Sequence, residues 1–146
     1  MRWSSGYVAE VGSTWLRRRV APPRQQVLYT ATLTEVEIRS ALQRLLRERR
    51  VDAAQAGRLT QRVLQHCTHR YQLIRITRPV VTQAGMLLER YPLRAYDAVQ
   101  LACALTVQRG MHRRGMPPPL FVAADAALLT AAVAEGFVVA NPLQHP

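Results

Sequence analysis

Residues 93–105 read LRAYDAVQLACAL, and the placement of one carboxylate in this run decides how the rest of the chain is read. Asp97, Leu101 and Leu105 recur at steps of four, so all three project from one face of a helix. The leucines mark that face as the one turned to a core. Asp97 therefore points inward as well. A buried ionised carboxylate has to be paired, protonated or bound to a cation.

Working outward from this helix, apolar β-rich runs alternate with helical patterns. VLYTA (27–31) reads as a strand, and LTEVEIRSALQRLLRERR (33–50) as a helix with Leu42, Leu45 and Leu46 inward and most of its arginines outward. Asp52 is placed to cap a second long helix, AAQAGRLTQRVLQHCTHR. YQLIRIT (71–77) is a second strand, and Pro79 suits the first position of the helix VVTQAGMLLER. Beyond residue 105, RGMHRRGMPPP reads as an irregular basic loop, then LFVAA as a strand, AALLTAAVAE as a helix closed by Gly136, and FVVANP as a last short strand. Upstream, VGSTWLRRRV, with Ser13 as cap, predicts a short amphipathic helix that APPR ends. Strands alternating with helices predict an α/β fold with a mainly parallel sheet.

The 146 residues suffice for one domain, 1–146, and not for two. An apolar share of 49% against 20% charged residues excludes a disordered chain. All 20 basic residues are arginines, and against 9 acids they leave a formal charge of +11. Such a field attracts polyanions, and the arginine fork suits phosphate oxygens, so RNA or DNA is the expected partner. Cys67 and Cys103 lie far apart without metal-like spacing and read as reduced packing residues. QHCTHR brings His66, Cys67 and His69 close in sequence, but on a helix positions 66 and 67 point apart and no fourth ligand is evident. Trp15 reads as a packing residue rather than a base platform. No apolar run approaches membrane-spanning length and MRWSSG has no hydrophobic signal region, so the expectation is a cytoplasmic protein with no membrane contact.

Two further acids resemble Asp97 in placement. Glu37 shares a helical stripe with Ala41 and Leu45, and Asp125 ends an apolar strand and opens a helix, at the strand edge where open α/β folds bind ligands. Asp125 can equally be a helix cap, Glu37 can pair with an arginine, and Asp97 can cap a helix that starts later than its stripe suggests. Carboxylates that converge repel one another unless a divalent cation neutralises them, and magnesium or manganese suits a site built only of oxygen.

The wording around these acids is similar to that of one family. LTEVEIRSAL (33–42), LRAYDAVQLACAL (93–105), FVAADAALLTAAVAEGFVVANP (121–142) and YVAEVGSTWLRR (7–18) resemble, in order, the conserved segments of the PIN domain, nearest to the toxin ribonucleases of VapBC toxin–antitoxin pairs. The likeness spans nearly the whole chain. It implies a three-layer fold, a twisted parallel sheet flanked by helices, with an acidic pocket at the carboxyl ends of the strands. It also implies an Mg2+- or Mn2+-dependent endoribonuclease, RNA as substrate, a cognate antitoxin as partner and a possible homodimer. Carried over, Glu37, Asp97 and Asp125 are the expected catalytic and metal-binding acids. Asp97 is then the direct ligand, while Glu37 and Asp125 hold bound water or a second ion; Arg94 is a candidate for steering phosphate.

One expected piece is not in the wording. The family opens on a strand ending in Asp followed by Ser or Thr, and that Asp is its principal metal ligand. Here the likeness begins at Tyr7, and MRWSSG contains no acid. By the resemblance, the absent strand lies in the middle of the sheet. Codons for MRWSSG can be chosen that, read two bases later, encode Ala-Val-Val-Lys-Arg, so a frameshift at Gly6–Tyr7 is one expectation. Ribonuclease activity far below that of an intact relative, or none, is the other. The alternative function is a non-catalytic RNA- or antitoxin-binding PIN-like module.

Overall fold

The computed structural model describes residues 27–145 together with Thr14, Trp15 and Arg18, so the expected helix over 11–20 and the opening residues lie largely outside the described residues. The elements run β1 (Leu28–Ala31), α1 (Thr34–Arg47), α2 (Ala53–His69), β2 (Tyr71–Ile74), α3 (Arg78–Arg90), α4 (Ala95–Arg113), β3 (Leu120–Val122), α5 (Ala126–Ala134) and β4 (Val138–Ala140), with a short 3-10 turn at Pro142–Gln144. The protein is mixed α/β. Each expected strand and helix in this span forms, and all bounds but the end of α4 fall within a few residues of the prediction.

Local chemistry explains most of the boundaries. Asp52 caps α2 in a reciprocal capping box: its carboxylate accepts from the Gln55 amide at 2.7 Å, and the Gln55 side chain accepts from the Asp52 amide at 2.9 Å. Thr77 stands at the N-cap of α3, with Pro79 in its first turn. Gly115 and Gly136, at φ 66° and 87°, end α4 and α5 in the left-handed conformation that glycine adopts without steric cost. At both ends the two bonds of a Schellman motif form, Met116 N to Met111 O and Gly115 N to His112 O after α4, and Phe137 N to Ala132 O and Gly136 N to Val133 O after α5.

One boundary differs from the sequence reading. The basic run from Arg109 to Arg113 is the last turn of α4 and not part of a loop. Val107 is buried and Met111 half-buried, so the helix keeps packing past Gly110, and its closing charges lie at the negative end of the helix dipole.

Two apolar clusters hold these elements. Val80, Ala84 and Leu87 of α3 pack with Ala98, Leu101, Ala102 and Leu105 of α4, and Phe121, Leu128 and Phe137 join them. Helix α4 is covered on most of its circumference, which is why its composition shows little amphipathic contrast. A second cluster, Ile38, Leu42, Leu45, Val63 and Cys67, seals α1 against α2.

The strands pair as the alternation predicts, in parallel, but in two sheets rather than one. Strand β1 pairs β2 with Leu28 opposite Tyr71 and Ala31 opposite Ile74, and β3 pairs β4 with Leu120 opposite Val138 and Val122 opposite Ala140. Among the described residues no ladder joins the two sheets. Both nevertheless feed the same core, since Ala31, Ile74, Phe121 and Val139 belong to the α4 cluster.

Candidate functional site

Three helices carry the expected acids at their amino-terminal ends. Glu37 lies in the first turn of α1, directly after β1, and Asp97 in the first turn of α4. Asp125 is the N-cap of α5, directly after β3. The positive end of a helix dipole favours a carboxylate at each place.

Asp97 is buried, at 7% relative exposure, as its stripe on α4 requires. Glu37 is half-buried. Burial pushes the Glu37 carboxyl above its ordinary range, a hydrogen bond from Tyr96 opposes that, and the negative charge of Asp97 pushes it further up. Glu37 and Asp97, sixty residues apart in sequence, thus stand within electrostatic reach of one another. Two hard oxygen donors that repel in this way fit a small divalent cation, which neutralises both.

Asp125 is exposed, and its Oδ1 accepts the Leu128 amide at 2.9 Å. The capping role open to it from the sequence is therefore realised. Among the described residues no group of three or more His, Cys, Asp or Glu side chains gathers as a metal site, so Asp125 is not brought into one cluster with the other two acids. Arg94 is exposed at the N-cap position of α4, three residues before Asp97, and gives the helix no side-chain cap. His66, Cys67 and His69 do not converge: Cys67 is sealed in the α1–α2 cluster while His69 is exposed. Cys67 and Cys103 are both free and buried, and burial pushes the Cys103 thiol up to about 11, so it stays protonated at neutral pH.

Behind Glu37 lies a polar network that sequence reasoning missed. Gln100 Nε2 donates to Thr34 Oγ1 at 3.0 Å and to the Tyr96 hydroxyl at 2.5 Å. Thr34 Oγ1 in turn lies 2.6 Å from Thr30 Oγ1. Thr30, Thr34 and Gln100 are 6%, 0% and 6% exposed, so the network sits inside the fold where β1, α1 and α4 meet. Gln100, within the otherwise apolar helix run AVQLACAL (98–105), is the one sequence signal that could have pointed to it.

Compared with known protein families, curated protein sequences and solved structures, the chain matches none of them. Among the described residues no helix is long and apolar enough to cross a membrane.

Proposed function

We propose that this protein is a divalent-metal-dependent endoribonuclease of the toxin type, built on a PIN-like fold and held silent in the cytoplasm by a cognate antitoxin protein. The observation that carries the reading is the pair Glu37 and Asp97, one half-buried and one buried, brought together from the first turns of two helices. Two carboxylates within electrostatic reach of one another are a donor pair that a small divalent cation would suit. The family resemblance of the surrounding segments supplies the reaction, phosphodiester hydrolysis.

When bound, Mg2+ or Mn2+ supplies charge neutralisation and Lewis acidity at the scissile phosphate. Asp97 would hold the ion directly and Glu37 would orient its water, while Asp125, which caps α5, stands outside this pair. Arg94 attracts a substrate phosphate to the mouth of the site, and the net charge of +11 draws RNA to the surface as a whole. With two acids within reach of one another among the described residues, the activity is low.

A second reading has its own support. Because Asp125 spends a carboxylate oxygen on its helix cap and no three-donor group forms among the described residues, a non-catalytic RNA- or antitoxin-binding module also fits. Metal and salt titrations separate the two. Cleavage of a mixed RNA substrate that rises with Mn2+, and that Asp97→Asn abolishes, is the nuclease result. RNA affinity that ignores Mn2+ and falls steeply with salt, with no cleavage at any metal concentration, is the result for the binding module.

A further inference from the structure

We propose that Tyr96 is a positioning residue whose hydroxyl, fixed by Gln100, aims the Glu37 carboxylate at the site it shares with Asp97. The inference rests on the metal-site reading above and extends it to a residue beyond the acids themselves.

The argument is one of donors and acceptors. Gln100 has two N–H bonds on Nε2, and it gives one to Thr34 Oγ1 and one to the Tyr96 hydroxyl. Thr34 also hydrogen-bonds Tyr96. The Tyr96 oxygen therefore receives, and its single proton points outward to the Glu37 carboxylate, with which it is hydrogen-bonded. Thr30, 2.6 Å from Thr34, completes a chain of hydroxyls running from β1 through α1 to Tyr96 on α4. Each bond in such a chain polarises the next, so the final donor is stronger than an isolated phenol.

Geometry also separates this role from a purely structural one. A network that served only to tie β1, α1 and α4 together would be complete with Thr30, Thr34 and Gln100, all nearly fully buried. Tyr96 is only half-buried, and it carries the network out to a carboxylate beside Asp97. Partners that orient a metal-binding carboxylate commonly set the affinity of the site.

The test is Mn2+ binding to the full chain without RNA, by electron paramagnetic resonance of free Mn2+, together with the crystal structure of the metal-free Tyr96→Phe protein. Asp97→Asn is the control that places the ion, and it should abolish binding. Tyr96→Phe should weaken Mn2+ by about tenfold to a hundredfold with the fold intact by circular dichroism, and its Glu37 carboxylate should turn away from Asp97. Unchanged Mn2+ affinity in Tyr96→Phe overturns the positioning role and leaves the metal site standing. If the unaltered chain binds no Mn2+, the metal-site reading fails instead. The crystal structure then decides the positioning claim alone: a displaced Glu37 supports it and an unmoved one overturns it. Should Tyr96→Phe not fold, Gln100→Leu removes the group that fixes the hydroxyl and is read in the same two ways.

Discussion

Burial and the charge of Asp97 both push the Glu37 carboxyl up, and the Tyr96 hydrogen bond offsets only part of that. The folded protein thus keeps a proton on Glu37 at pH values where the unfolded chain, near its ordinary value of 4.5, has already released it. A carboxyl raised in this way contributes its stability in full below the unfolded value and loses it as pH rises through the folded value. Above its ordinary value the raised carboxyl therefore lowers the stability of the fold relative to a neutral side chain in its place. Glu37→Gln should therefore raise the thermal midpoint near pH 7 in a chelating buffer, and the gain should vanish near pH 4, where both side chains are neutral. A lower midpoint for Glu37→Gln at neutral pH identifies Glu37 as one half of a stabilising ion pair and removes the electrostatic argument for the site. Adding Mn2+ should stabilise the unaltered protein by mass action and leave the variant behind. The inward direction of Glu37 and Asp97 was legible from their helical stripes alone. The network of Tyr96, Gln100, Thr34 and Thr30 was not, because its members come from three elements and only tertiary packing makes them neighbours.

Helices and strands were legible to within a few residues wherever periodicity and caps agreed. Asp52 marked the start of α2, and Gly136 marked the end of α5. The error in the run after Leu105 has a physical source. A glycine and a cluster of arginines resemble loop composition, yet one glycine in a helix costs only about 1 kcal/mol, and the packing of Val107 and Met111 outweighs it. The end of α1 shows the opposite case. Arg50 N bonds Leu45 O and Arg49 N bonds Leu46 O, the same Schellman closure that follows α4 and α5, but the left-handed position is held by Arg49 at φ 54°. An arginine there carries the steric cost of its Cβ, and glycine does not. Arg49→Gly should accordingly stabilise the protein by up to about 1 kcal/mol, read as a higher urea midpoint at unchanged slope. A destabilised Arg49→Gly would mean that the arginine side chain contributes more through its surroundings than its backbone strain removes.

At the scale of the whole molecule, the unresolved tension is the sheet. Parallel strands are normally buried in sheets of several members, covered on both faces, whereas among the described residues two parallel pairs stand apart. Thr30 and Ala31 are nearly inaccessible although β1 has one ladder partner among the described residues, and β3 likewise pairs only β4. On the proposed PIN-like fold, one more strand would stand between such pairs and would end in an aspartate beside the other acids. Composition and periodicity are silent on this, because the order of strands depends on which edges meet and not on any single run. The proposed fold becomes a physical claim when a strand is offered to that place. Extending the chain at its amino end with a β-rich segment closing on Asp-Ser or Asp-Thr should raise the thermal midpoint by several degrees and should strengthen Mn2+ binding. The same extension closing on Asn-Ser should give the stability without the metal affinity, which separates sheet completion from ligand supply. If neither extension alters the midpoint, the two sheets do not flank a strand site, and the salt-dependent binding module becomes the better account of a fold with a charge of +11.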